Sequence, residues 1–548
     1  MRLDSAKFPT TLVVAALVAC ALGLYFRITH LDARIFWGDE AITALRISGH
    51  TEEDYKALFD GGLYRISEVL AYQKPDPSKR LLDVANSLAS DEPQHPPIFY
   101  LMERLWTLAF GASIAVLRSL PALLSVLAVI GAAWLAWELF GSWQVVLVAA
   151  SVLAVSPFQI IYAHEAREYS LWILVTLASS AWLLRAIYRN TTLAWAGYAA
   201  LVAVGLYSDL LFAFVLLGHA LYVAVAQPMP RMARVGFVSA SLAAAAAFGP
   251  WIAVILRGRD MVVAQTSWVD VNYPPLQFLE KWAFNIGAQF FDLEYLGLRY
   301  LAIALPILAI AAYAALVFVR RANAQQRWFI VTMIAGTAVP LVLHDVLSGT
   351  IVSINARFLV PVWLGLDMAV AYGLASLAFA PTARNPVAWR AASVALLAAG
   401  VASAAVGSSA PAWYDNHRSA ANAGIARVIE SAQHPVVMCE HAWSFVLAIS
   451  HYLDDGVRLQ LYNDASNPKV PKGFKTIFAV APTQTFRRAL TQRGFKLSVA
   501  YQQPPIGAPV RHFRENVERL TSLHADPDVV PNYPDSLWFV ERDRASRR

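Results

Sequence analysis

The chain has 548 residues, 57% of them hydrophobic and only 15% charged, with a net charge of +6 and a mean hydropathy of +0.47. That balance excludes a soluble globular protein of this length and indicates a polytopic membrane protein. No basic run is interleaved with aromatics, so nucleic acid is not an expected partner. The two cysteines, Cys20 and Cys439, are too few for a disulfide framework or a thiolate metal site.

The first apolar run, residues 9–29, follows Arg2 and Lys7 and lacks a small-residue cleavage pattern, so it reads as a retained anchor. Residues 30–96 form a long polar loop that carries Asp39, Glu40, Asp91, Glu92, Gln94 and His95. The stretch Pro96–Trp106 is too short to cross a bilayer and is interrupted by Glu103 and Arg104, which predicts an amphipathic helix in the interface. Spans are predicted at 113–138, 143–162, 170–188, 192–208, 210–227, 235–256, 298–319, 328–347, 357–380 and 391–408, about eleven with the first run. Seventeen tryptophans suit interfacial aromatic belts.

Charge sets the orientation. Arg2, Lys7, Arg185, Arg189, Arg231, Arg234, Arg320, Arg321, Arg327, Arg384 and Arg390 fall on alternate, short connections. This bias predicts a cytoplasmic N-terminus and an outer C-terminal segment. The opposite face then collects Asp39-Glu40, His95, the stretch His164–Tyr169, Tyr207-Ser208-Asp209, the loop 257–297 and Asn355-Ala356-Arg357. Ionisable groups gathered on one side of a membrane protein mark a site there. Residues 1–408 are therefore expected to form a transmembrane domain, with a large first loop (30–112) and a second one (257–297). Residues 409–548 form a small α/β domain. Val436–Cys439, Val457–Tyr462, Ile477–Val480 and Leu537–Val540 read as its strands, and Ala442–Leu453 and Thr483–Arg493 as helices. There is no internal repeat.

The chain is organised around Arg34-Ile35-Phe36-Trp37-Gly38-Asp39-Glu40-Ala41. Two adjacent carboxylates beside the bilayer must face water or a polar cavity. Asp39 reads as a catalytic base, although a solvated loop start accounts for the pair equally well on its own. Between two apolar runs, His164, Glu165, Arg167 and Glu168 exceed what a polar connection needs. Arg118 lies one turn inside its span, where snorkelling is the simpler account, and Arg357 opens a late span from the same side. Guanidinium groups converging at one face suit an anion such as phosphate.

With these residues together, the chain resembles the GT-C glycosyltransferases of the protein O-mannosyltransferase type. It is most similar to their bacterial branch, the lipid A aminoarabinose and lipopolysaccharide galacturonosyl transferases. Asp39-Glu40 matches the acidic motif of the first outer loop, and His95-Pro96-Pro97-Ile98-Phe99-Tyr100 the family's His-Pro-Pro element. Leu117-Arg118-Ser119-Leu120-Pro121, Glu165-Ala166-Arg167-Glu168-Tyr169 and Arg357-Phe358-Leu359-Val360-Pro361 follow in the family's order. Together they cover residues 1–380 or so; the C-terminal domain carries no family signature.

The resemblance implies an inverting glycosyltransferase of the bacterial inner membrane. Its donor would be a polyprenyl-phosphate sugar and its acceptor a glycolipid, lipopolysaccharide or protein. Asp39 would be the base, with Glu40 positioning the acceptor. Arg357, Arg167 and Arg118 would contact phosphate, and His95, His164, Glu165, Tyr169 and Asp209 would line the pocket. No cofactor is required by this chemistry; a divalent cation is compatible with carboxylate and imidazole ligands, but no tight ligand spacing is present and no metal residues are assigned. A transporter or flippase for a lipid-linked sugar is the alternative, though it would be expected to show repeats and midplane charges.

Overall fold

The computed structural model describes residues 10–271, 273–292, 298–380, 385–410, 412, 419–440, 443–503 and 535–542, without the side chains of 298–301 and 409. Arg2, Lys7, Arg384 and Ala442, used above, lie outside the described residues. In chain order the helices before the first long loop closes are α1 (Thr10–Ile28), α2 (Gly38–Ser48), α3 (Glu52–Lys56), α4 (Ile66–Ala71), α5 (Leu81–Asp91) and α6 (Ile98–Phe110), with strand β1 (Asp60–Arg65) ahead of α4. Then follow α7 (Ile114–Phe140), α8 (Trp143–Val155), α9 (Pro157–Ala163), α10 (Tyr169–Arg189), α11 (Thr192–Ser208), α12 (Phe212–Val225) and α13 (Arg231–Arg257). After these come α14 (Arg259–Thr266), α15 (Pro275–Gly287), α16 (Leu298–Arg321), α17 (Ala324–Ser348), α18 (Val360–Phe379) and α19 (Pro386–Ser409). The C-terminal segment holds α20 (Ala421–Glu430), β2 (Pro435–Glu440), α21 (Trp443–Ile449), β3 (Arg458–Tyr462), β4 (Thr476–Val480), α22 (Gln484–Gln492), β5 (Phe495–Gln502) and β6 (Ser536–Arg542).

These elements form two compact units. The first, the membrane unit, comprises Met1–Leu31, Glu92–Phe99 and Arg118–Ser409. The second, the sheet unit, joins Asp32–Asp91 and Tyr100–Leu117 to Ala410–Arg548.

Among the described residues of the membrane unit, eight helices are long and apolar enough to cross a bilayer (α1, α7, α10, α13, α16, α17, α18 and α19), and the bent pair α8–α9 makes a ninth. The expected count of about eleven also included α11 and α12, which have 17 and 14 residues. Both fall short of the ~20 residues of a full crossing. The cause is local. Asp209 leaves the helix in extended conformation and its carboxylate accepts from the Leu211 N–H at 2.8 Å, a turn that ends α11 and begins α12. In α18, 83% of the most apolar window is buried, against 22% in α13, so α18 is the central post of the unit. It packs on α16, α17, α8 and α19. A Cβ at Gly373 would collide with the Ala314 backbone, so glycine sets the α16–α18 approach.

The predicted span 143–162 is broken at Pro157, with a 58° bend. Proline has no N–H to give to the Leu153 carbonyl. Arg27, fully buried at the end of α1, takes over that role: its guanidinium donates to Leu153 O at 2.8 Å, to Ala154 O, to Gly23 O at 2.9 Å and to Ser125 Oγ at 2.9 Å. A Cβ at Gly23 would strike the Ala154 carbonyl, so glycine allows the contact. The bend delivers the chain into the polar stretch that begins at His164.

The sheet unit is built on six strands in the order β1-β3-β2-β4-β6-β5. The central strands β3, β2 and β4 are parallel; β1, β6 and β5 pair antiparallel. Every residue of β2 is buried, which explains its unbroken apolar run in place of an alternation. Met438, Tyr462, Ala479, Phe486, Leu490 and Val540 form a core between the sheet and α22. The strands expected from sequence are present, and β1, β5 and α20 join them. The expected helix at 442–453 is α21 followed by a 3₁₀ turn over Ser450–Tyr452. The segment expected to lie in the interface folds as helix α6, whose Arg104 donates to the carbonyls of Ile47, Ser48, Asp76 and Lys79.

Candidate functional site

The candidate residues divide between the two units. Asp39 and Glu40 belong to the sheet unit; His95, Arg118, His164, Glu165, Arg167, Tyr169, Asp209 and Arg357 belong to the membrane unit.

Asp39 and Glu40 occupy the first turn of α2, where carboxylates meet the positive end of the helix dipole. Glu40 is fully buried and its Oε2 lies 3.4 Å from the Trp37 N–H at the helix start, while Asp39 keeps part of its surface open. The two neighbours thus divide the work, one folded inward and one presented outward. Phe36 and Trp37 are also fully buried and anchor the turn. Glu103 of α6 is buried too, with neither carboxylate oxygen hydrogen-bonded among the described residues. Burial, and then the charge of Glu40, pushes its carboxyl well above the usual carboxylate range.

In the membrane unit, four of the predicted residues or their neighbours meet. The His95 Nδ1 lies 3.0 Å from Glu168 Oε1, and Arg167 Nη2 lies 3.3 Å from both Glu168 Oε1 and His95 Nε2. Arginine can only donate, so Nε2 accepts and Nδ1–H donates to Glu168. Glu92 Oε1 stands 3.9 Å from the same imidazole. The Glu92–His95 turn is held to α13 by the Trp251 Nε1–H, which donates to Pro93 O at 3.1 Å. Burial works to raise the Glu168 carboxyl, but Arg167 and His95 reverse this and hold it at about 2. Asp209 lies within electrostatic reach of this group. Burial, with the charge of Glu168 added, pushes its carboxyl up to about 7.

Arg357 sits on a 3₁₀ turn, Ala356–Leu359, just before α18, and is 5% exposed. Its guanidinium lies 5.3 Å from the ring of Phe358, 5.5 Å from Trp268 and 6.0 Å from Tyr169. Aromatic faces attract the cation and leave its N–H edge directional. The backbone leading to it is fastened by Asp345, whose carboxylate accepts from Val352 N at 2.8 Å, Ser353 N at 2.6 Å and Thr350 Oγ1 at 2.6 Å. Asn285 donates to Ile354 O and Trp363 to Ala356 O, both at 2.8 Å.

Two predicted residues serve the frame. The His164 Nε2–H donates to Phe26 O at 2.7 Å, and Arg118 Nη1 donates to Leu31 O at 2.8 Å. Both are fully buried and both hold the chain where it leaves α1. Glu165, next to His164 in sequence, is buried as well. Glu168 and Trp268 are additions to the predicted set: Glu168 lies inside the motif but its anchoring role depends on His95, and Trp268 comes from the second large loop. Among the described residues, no group of three or more His, Cys, Asp and Glu side chains is arranged to hold a metal ion.

No protein-family model and no curated protein matches the sequence. Solved structures do match. ArnT from Cupriavidus metallidurans bound to undecaprenyl phosphate superposes over 95% of this chain and 97% of its own, with a TM-score of 0.53 and 13% identity. The apo state of the same ArnT gives 0.54 and 14% over 88% of this chain and 95% of its own. The apo oligosaccharyltransferase of Archaeoglobus fulgidus gives 0.50 and 12% over 97% of this chain and 88% of its own. Identities this low speak to architecture alone: the chain shares the fold of these ArnT structures, and several of its described helices are long and apolar enough to cross a membrane.

Proposed function

We propose that the protein is an integral membrane glycosyltransferase that moves a hexose or pentose from a polyprenyl-phosphate donor to a hydroxyl of a glycolipid, lipopolysaccharide or protein acceptor. The observation that carries this reading is the fold it shares, over almost its whole length, with ArnT bound to undecaprenyl phosphate. We place the reaction on the outer face of a bacterial inner membrane, with the N-terminus inside, from the charge bias of the connections. Residues 1–408 carry the transfer chemistry, and 409–548 form the outer domain.

The chemistry follows from the residue types. A polyprenyl phosphate leaves as a stabilised anion, so the leaving group needs little protonation. The acceptor hydroxyl needs a base, and we assign this to Asp39, the more open carboxylate of the α2 turn. Glu40, folded inward, fixes that turn. Charge growing on the leaving phosphate needs fixed cations. We assign these to Arg357, held by its aromatic rings, and to Arg167, held by Glu168 and His95. Arg118 and His164 hold the frame at the exit of α1. Direct displacement inverts the anomeric centre. No metal is needed for these steps.

The test uses purified protein in lipid, a panel of polyprenyl-phosphate sugars and a membrane extract as acceptor. Wild type should release one sugar from its carrier, and Asp39→Asn should lower the rate by about 10²–10⁴. Equal release by both would remove Asp39 from its role. Lipid movement across the bilayer without any transfer would put a transporter in its place.

A further inference from the structure

We propose that the C-terminal α/β domain is the positioning device of the Asp39–Glu40 turn, acting through Tyr452, His451 and Gln73. The proposal rests on the functional reading above for its consequence in catalysis, and on the sheet unit alone for its geometry.

The turn that carries the acidic pair is fastened from the far end of the chain. The Phe36 N–H, two residues before α2, donates to the Tyr452 hydroxyl at 2.5 Å. Phe36 is fully buried, and a buried backbone donor must find an acceptor. Here the acceptor comes from 416 residues later. The ring of His451 packs on that of Phe36, centroids 4.5 Å apart. His451 is held in turn: its Nε2–H donates to Gln73 Oε1 at 3.0 Å, and Gln73 Nε2 donates to Leu447 O at 2.9 Å. A side-chain amide that accepts from one segment and donates to the next fixes both. Helix α21 itself packs against α2. The first loop even supplies β1 as an edge strand on β3, so loop and domain share one sheet.

This arrangement has a direct consequence for α2. A helix start is set by the conformation of the residues before it. Trp37 precedes the helix in extended conformation, and Phe36 precedes Trp37. Fixing the Phe36 amide and ring therefore fixes the direction in which the first turn presents Asp39. Tyr452, His451 and Gln73 are positioning residues. They act through the backbone of residues 36–38, and the domain needs no catalytic group of its own.

The experiment compares full-length wild type with Tyr452→Phe, which deletes only the acceptor hydroxyl, and with Gln73→Leu, which removes the amide bonded to His451. Each is placed in lipid and followed by amide hydrogen exchange and by sugar transfer. Exchange should quicken over residues 35–41 in both variants and stay unchanged in strands β2 and β4. The kcat of transfer should fall about tenfold or more, as small misplacements of a base do, while the KM for the polyprenyl-phosphate donor stays constant. Unchanged exchange over 35–41 would overturn the proposal. So would faster exchange spread evenly through the sheet, or a quickened 35–41 with kcat intact. If wild type transfers no sugar from any donor, the functional reading fails, and the exchange measurement still decides the positioning.

Discussion

Glu168 of the membrane unit and Glu103 of the sheet unit are the same side chain, each almost fully buried, and they exist in opposite states. Glu168 accepts from His95 and lies against Arg167, and its carboxyl is held at about 2. Glu103 has no hydrogen-bond partner among the described residues and faces the charge of Glu40, so its carboxyl rises well above the usual range. Burial pushes both upward. What separates them is the sign of the nearest charge. Glu168 is thereby held toward its ionised form against Arg167, and Glu103 is pushed toward its neutral form beside Glu40.

Breaking the first state should have the largest effect. Glu168→Gln removes the anion and leaves the Arg167 guanidinium buried beside a neutral amide. Removing one partner of a buried ion pair costs about 3–5 kcal/mol. The variant should melt at a markedly lower temperature in detergent, or fail to accumulate. Wild type carries the matching acid signature. The folded carboxyl is depressed, so its contribution is full above the unfolded value and is lost as pH falls through ~4.5 toward 2. A wild-type melting curve that is flat from pH 5 down to 2 would contradict this.

A smaller effect is expected at Asp209. Its folded carboxyl is raised to about 7, so the folded state binds a proton that the unfolded chain has already released. Stability should therefore fall as pH rises from ~4 to ~7 and level off above it. Asp209→Asn cannot titrate and should lose that slope, gaining on wild type toward pH 8. Parallel wild-type and variant curves across this range would show that folding does not raise the Asp209 carboxyl.

How far sequence reading reaches can be judged from the same elements. Long spans such as α7, α16 and α19 are legible because twenty apolar residues in a row have few other uses. The bend at Pro157 is harder, because an internal proline also occurs inside unbroken helices here, at 121, 250, 306 and 340. What marks Pro157 is the buried Arg27 that answers the freed carbonyls, from another helix. Strand β5 carries a readable alternation at Phe495, Leu497, Val499 and Tyr501. Strand β1, Asp-Gly-Gly-Leu-Tyr-Arg, carries none, because an edge strand of this exposure needs no apolar face. Among the candidate residues, the meeting of His95 with the His164–Tyr169 stretch involves residue types that the sequence displays openly. The partnership of Glu168 with His95 is not visible there, since the two are separated by a helix, a span and a bend. The bonds of Arg118 and His164 to the carbonyls of Leu31 and Phe26 are not legible in sequence either, because each joins residues far apart along the chain.

The smallest effect is expected where the comparison predicts near silence. Glu103→Gln replaces an acid pushed toward its neutral form with a neutral amide of the same shape. Folding shifts Glu103 toward its neutral form, so at neutral pH wild type bears a cost that glutamine removes. Against this, the new amide brings N–H donors into a site where the Glu103 carboxylate oxygens have no hydrogen-bond partner among the described residues, and unpaired buried donors are unfavourable. The two terms oppose each other, and the melting temperature at pH 7 should move by no more than about 1 kcal/mol would allow. At pH 4 the unfolded glutamate is largely protonated as well, so the first term vanishes and glutamine should be the slightly weaker side chain. The sign of the difference should therefore change between pH 4 and pH 7, which no change in packing alone would produce. If Glu103→Gln were as damaging as Glu168→Gln at pH 7, Glu103 would have to be an anion with a cation against it, and the contrast between the two glutamates would fall.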